Sequence, residues 1–264
     1  MTGHQRIRAT LAKNDGAALL PFLTAGIPSP AASADLFVAM ADAGADAFEV
    51  GIPYSDPLMD GPVIMEASEA ALAAGTSIRI ALEIIEQVAS RTGKPVLAMT
   101  YANPVMQVGW QAFVDRLETA GAAGIIVPDL PLEEGGPLRT AASARGIGVV
   151  QFVSPTSDNH RIDAVAASDP AFIYGVAEMG VTGERTANSS HAQALSERVR
   201  DRTRAPLVFG VGISTPEQAR AVRDLADGVI VGSAMVRRVL EADTPESAAK
   251  SLWEAVAAFV AALH

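Results

Sequence analysis

Glu49 sits inside the apolar run Ala47-Phe48-Glu49-Val50-Gly51, and two more carboxylates, Asp56 and Asp60, follow it closely. Buried acids are rare unless they are paired or functional. Loss of water disfavours the charged carboxylate and raises its pKa, which suits such a group to donate and accept a proton near neutral pH. A buried glutamate tied to a hydroxyl or amide is the alternative. Asp60 lies on a loop fenced by Pro53, Pro57 and Pro62, and prolines restrict the chain enough to hold a loop carboxylate in place. Preceding Gly61, it is equally a turn residue. Asp56, in Ser55-Asp56-Pro57, leans toward a turn or an interface, and Asp129, in Val127-Pro128-Asp129-Leu130-Pro131, toward tying down the proline turn after it.

Anion binding is the second chemistry the residues offer. Gly210-Val211-Gly212-Ile213-Ser214 and Gly232-Ser233 each follow an apolar run late in the chain. Glycines let backbone approach a ligand closely, and backbone N–H groups beside a short helix N-terminus favour phosphate. Tight turns closing a barrel would use the same glycines. The third glycine of a dinucleotide fingerprint is missing, and no GxxxxGK[ST] loop occurs. His4, His160, His191 and His264 are scattered, and there is no cysteine, so no zinc-type spacing, thiol nucleophile or disulfide is available. No metal site is expected.

These residues need a scaffold, and the chain supplies a repeating one. Eight short apolar runs, ALLPFLT, DAFEVG, PVLAMTY, AGIIVPD, GVVQFV, AFIYGV, PLVFGV and DGVIVG, are each followed by a segment long enough for a crossover helix. That pattern predicts an α/β fold, a single (β/α)8 TIM barrel with extra helices, spanning residues 1–264 as one domain. Thr215-Pro216-Glu217-Gln218 and Thr244-Pro245 read as helix starts. Leu252, Val256, Phe259, Val260 and Leu263 recur at helical spacing and predict one packed face on the last helix. Residues 52–61 and 177–190 are loops after strands, where barrel active sites gather. The formal charge of −10 argues against nucleic acid. No run approaches the roughly 18 apolar residues of a membrane helix, and no secretory h-region follows the N-terminus, so a cytoplasmic protein with no membrane association is expected.

With these motifs assembled, the chain resembles the α subunit of tryptophan synthase along nearly its whole length. The motifs, in the family's order, are PFLTAGIP at 21–28, EVGIPYSDPLMDGP at 49–62, TYANP at 100–104, GIIVPDLPLEE at 124–134, GVTG at 180–183, GVGIS at 210–214 and VGSA at 231–234. The resemblance implies retro-aldol cleavage of indole-3-glycerol phosphate to indole and glyceraldehyde 3-phosphate, with no cofactor and no metal. By the same resemblance Glu49 is the acid that protonates indole C3 and takes the glycerol hydroxyl proton, and Asp60 is the carboxylate that stabilises the charge developing on the ring. It assigns the phosphate to Gly183, Gly212, Gly232 and Ser233, places Phe22 and Tyr174 at the indole pocket, and puts Thr182 on a loop that closes over substrate. It also implies a β-subunit partner in an αββα heterotetramer, with Asp56 and Pro57 as contact candidates.

The sequence departs from the family pattern at a few places. Ala177-Glu178 stands where many members carry Ser-Arg, Val211 where phenylalanine is common, and Met59 where a smaller residue is usual. Other readings of the same residues are a stand-alone indole-3-glycerol phosphate lyase releasing free indole, and a mainly allosteric, non-catalytic α-like subunit that activates β. A different phosphate-binding barrel, such as an isomerase, would explain the glycines but not the Glu49 loop.

Overall fold

The structure, a computed structural model, describes residues 1–12, 16–176, 185–210 and 212–264, with 185–190 described only as helical backbone. Among them the strands are β1 Ala18–Thr24, β2 Phe48–Gly51, β3 Val96–Met99, β4 Gly124–Ile126, β5 Gly148–Val149, β6 Gln151–Val153, β7 Ile173–Gly175, β8 Leu207–Phe209 and β9 Gly228–Val231. All pair in parallel, in the order β5-β4-β3-β2-β1-β9-β8-β7-β6. The predicted eight runs are all present, but GVVQFV forms two strands rather than one. Its first half pairs with β4, through Val150 N–H to Ile125 O at 3.1 Å, and its second half with β7, through Gln151 N–H to Phe172 O at 3.4 Å. One passage of chain therefore bridges the two ends of the sheet and closes the barrel.

The strands are short and nearly all buried, as parallel strands covered on both faces must be. Helix Gly3–Leu11 is one of the extra helices. It lies against the strand starts, and a Cβ at Gly124 or Gly228 would stand 2.8 Å from Ile7 Cδ1 or Leu11 Cδ2 respectively. Both helix starts read from the sequence are capped as expected, with Thr215 accepting from Gln218 N–H and Thr244 from Ser247 N–H. In helix Pro245–Leu263, residues Leu252, Val256, Phe259 and Leu263 are buried and Val260 is partly so, facing helix Pro30–Asp42. No described helix is long and apolar enough to cross a membrane.

Two expectations change. Residues 177–184 lie outside the described residues, and residues 185–190, read as part of a loop over 177–190, instead begin helix Arg185–Arg200. Its register is set further along, where Ala192, Leu195, Ser196 and Val199 are buried at helical spacing. Asp129 does not serve its own proline turn: its Oδ1 accepts the Ala102 N–H at 2.8 Å. It thereby joins the end of β4 to the start of helix Ala102–Val108, satisfying a donor that a helix N-terminus leaves free.

Candidate active site

Parallel register aligns the side chains that matter. Phe22 pairs with Glu49, and Glu49 with Leu97, so neighbouring strands carry residues of one layer into the same barrel mouth. There Phe22 and Glu49 line a cavity of about 340 Å³. Phe22, Ile64, Met99, Ile126, Phe152 and Tyr174 make its apolar wall, and Gly210, Gly212, Ser214, Gly232 and Ser233 its polar end. An apolar slot with polar groups at one end suits a flat aromatic body carrying a charged tail.

Glu49 is 5% exposed, and its Oε2 has no hydrogen-bond partner among the described residues. Burial pushes its pKa up to about 8, with the Asp60 charge as a further, smaller cause. Asp60 also lines the cavity, half-buried at the end of the 52–61 loop. Its pKa is raised by burial and drawn back by a hydrogen bond from the Tyr101 hydroxyl. Two carboxyls thus face one cavity with their titrations pushed apart: Asp60 ionises first, and its charge then holds the proton on Glu49. Tyr174 is 9% exposed, its ring stacked on Phe152 with centroids 5.1 Å apart. Burial, then the charges of Glu49 and Asp60, holds its hydroxyl well above the ordinary range, so it stays a neutral donor.

At the polar end, Gly232 caps helix Ser233–Leu240 without any side-chain hydrogen bond, and Gly212 adopts a left-handed φ of 77°. No lysine or arginine is among the described lining residues. An anion bound here would rest on backbone N–H groups, the Ser233 hydroxyl and the helix dipole. Thr182 and Gly183 lie outside the described residues, as do Ala177, Glu178 and Val211. Of the interface candidates, Asp56 is exposed and accepts from the Ser55 hydroxyl at 2.6 Å, whereas Pro57 is buried. Met59 is 63% exposed at the cavity rim.

Sequence reasoning assigned no role to Tyr101 or Phe152. TYANP was recognised as a motif, and strand alternation was the available signal for Tyr101: from Glu49's neighbour Leu97, the positions Met99 and Tyr101 fall on the same side. For Phe152 the run GVVQFV gives no such reference.

Residues 8–264 match the family described as tryptophan synthase alpha chain. A tryptophan synthase alpha chain of Synechococcus elongatus is 45% identical over 242 residues, 91% of each chain. The chain belongs to the tryptophan synthase alpha chain family. Among solved structures, tryptophan synthase from M. tuberculosis in an aminoacrylate-bound form superposes with a TM-score of 0.88 at 32% identity, covering 100% of both chains. Tryptophan synthase subunit alpha from Legionella pneumophila does so with a TM-score of 0.89 at 30% identity, covering 100% of this chain and 98% of that one. As a tryptophan synthase alpha chain, the protein is a lyase acting on indole-3-glycerol phosphate in tryptophan biosynthesis.

Close packing in the pocket gives a first expected result. A Cβ at Gly210 would stand 2.0 Å from the Tyr174 hydroxyl and 2.4 Å from its Cζ, closer than real contacts allow. Gly210→Ala must therefore displace the ring from the cavity wall. Overpacking of this kind typically costs about 1–3 kcal/mol of fold stability, and the displaced ring separately lowers kcat/KM for indole-3-glycerol phosphate. Steady-state kinetics beside a thermal melt measure both effects.

Proposed function

We propose that Glu49 and Asp60 together catalyse the retro-aldol step, and that the chain works as one barrel domain with a β subunit in an αββα complex. The observation that carries this reading is the buried Glu49 carboxyl, whose Oε2 has no hydrogen-bond partner among the described residues, lining the same apolar cavity as Asp60. With its pKa near 8, Glu49 enters the reaction protonated. It gives that proton to indole C3, and the ring takes up positive charge. The Asp60 carboxylate stabilises that charge from beside the ring N–H, an electrostatic effect strengthened by the dry surroundings. Glu49, now a carboxylate, takes the proton of the glycerol hydroxyl on the carbon bonded to C3. As the C–O double bond forms, the carbon–carbon bond breaks and its electron pair returns to the indole ring. Indole and glyceraldehyde 3-phosphate leave, and Glu49 ends the cycle protonated as it began.

Phe22, Tyr174 and Phe152 fit the indole ring in this reading, and Gly212, Gly232 and Ser233 the phosphate. Thr182 and Gly183 belong to the same assignment through family resemblance. The partner reading is supported by the rim. Leu58 and Met59 are 88% and 63% exposed beside Asp56, and helix Ala102–Val108, tied to the same loop by Asn103 donating to Tyr54, exposes Met106. Exposed apolar side chains grouped on one rim favour a protein contact.

The test is turnover of indole-3-glycerol phosphate by the purified chain with and without a β subunit. We expect at least about 10-fold stimulation by β, which a coupling free energy of about 1.4 kcal/mol supplies. Equal turnover without β would make the chain a stand-alone lyase. Stimulation of β with no glyceraldehyde 3-phosphate formed would make it a non-catalytic activator.

A further inference from the structure

Asp60 is held by a residue from the neighbouring strand end. Tyr101 follows β3, is 2% exposed, and receives the Met59 N–H on its hydroxyl oxygen at 3.2 Å. The Asp60 carboxylate, on the next residue, interacts with the same hydroxyl. One oxygen therefore meets two consecutive residues of the 52–61 loop, accepting from the backbone of one and acting on the carboxylate of the next. Its ring lies against Tyr54, centroids 5.5 Å apart, and the Tyr54 hydroxyl accepts from Asn103 Nδ2 at 2.9 Å. Tyr54 and Met59 lie toward opposite ends of the 52–61 loop, and both meet the segment that carries Tyr101.

We propose that Tyr101 is the positioning residue of Asp60, a clasp that fixes the 52–61 loop and presents the Asp60 carboxylate to the cavity as an anion in one orientation. This deepens the catalytic reading above and rests on it. Fixation of the backbone at Met59 removes the rotation that would swing Asp60 out of the mouth. Donation to the carboxylate favours its charged form against the burial that opposes it. Among the described residues, the titratable groups facing Asp60 are Glu49 from β2, Tyr174 from β7 and Tyr101 itself. Asp129, at the end of β4, acts on Tyr101, and Asp56 lies exposed on Asp60's own loop. None of these groups is a cation, so the clasp is the contact that draws the Asp60 titration downward.

The decisive variant is Tyr101→Phe, which keeps the ring against Tyr54 and removes only the hydroxyl. Tyr54→Phe is the control, breaking the Asn103 bond and sparing the clasp. Carbon-13 NMR of aspartate-labelled chain, with Asp60→Asn supplying the assignment, reads the Asp60 titration directly. In Tyr101→Phe its midpoint moves up by about one pH unit, and in Tyr54→Phe it does not. An unmoved midpoint in Tyr101→Phe, or an equal shift in both variants, overturns the proposal. With indole-3-glycerol phosphate, kcat falls about 10–100-fold, as loss of a hydrogen bond to a charged group implies. KM changes by less than about 3-fold, and the acid limb moves upward with the NMR midpoint. Tyr101→Phe added to Asp60→Asn slows the enzyme no further; additive losses would count against the clasp. Should the wild-type chain fail to cleave the substrate, the catalytic reading falls, and the NMR titration still decides the clasp.

Discussion

Glu49→Gln is expected to remove turnover by at least about 10³-fold, within the range for loss of a general acid and base, while making the fold more stable at alkaline pH. Both effects have one cause. The glutamine cannot carry the proton that C3 must receive and the hydroxyl must lose, so both halves of the step fail together. For stability, the relevant quantity is the difference in proton binding between folded and unfolded chains. Unfolded, Glu49 titrates near its ordinary 4.5; folded, it titrates at about 8. Between those values the native state holds a proton that the unfolded state has released, so stability falls as pH rises through the window and levels off above it. The accumulated loss is on the order of several kcal/mol, and glutamine, always neutral, does not incur it. Thermal melts of both proteins at pH 5 and pH 9 measure this directly. The glutamine variant should gain on the wild type between the two pH values. A gap that stays constant would mean that Glu49 is not buried as an acid with a raised pKa.

The barrel was legible because every strand is a short apolar run with a helix after it, and Glu49 stood out because an acid interrupts one of those runs. Closure of the barrel was less legible. Where GVVQFV leaves β4 for β7 depends on the stagger of two strands distant in sequence, and all its residues but Gln151 read as apolar or small. Asp60 stayed open between turn and catalysis for a related reason. What places it at the cavity is the closed barrel, and the group that acts on it, the hydroxyl of Tyr101, follows a different strand. Asp129 was misread because its partner, the Ala102 N–H, also belongs to the neighbouring strand's loop rather than its own. Local sequence therefore discloses which side chains are unusual, while the contacts that give them a role are made between loops that only the closed barrel brings together.

Asp60→Asn is the second large effect, and its pH dependence separates electrostatics from simple loss of a contact. Removing one stabilising group aimed at developing charge typically costs about 10²–10³-fold in kcat, and the asparagine amide, though similar in shape, brings no negative charge to the indole ring. The same substitution removes the charge that helps to keep the proton on Glu49. Because burial is the larger cause and the Asp60 charge the smaller, the Glu49 pKa should drop yet stay above the ordinary glutamate range. In a kcat/KM profile the wild type rises as Asp60 ionises and falls as Glu49 loses its proton. The variant should lack the acid limb and have its alkaline limb displaced to lower pH. Profiles recorded with a sensitive assay for released indole test this. A variant with the wild-type alkaline limb would show that the two carboxyls do not sense each other, and that Asp60 acts on the substrate without setting the proton affinity of Glu49.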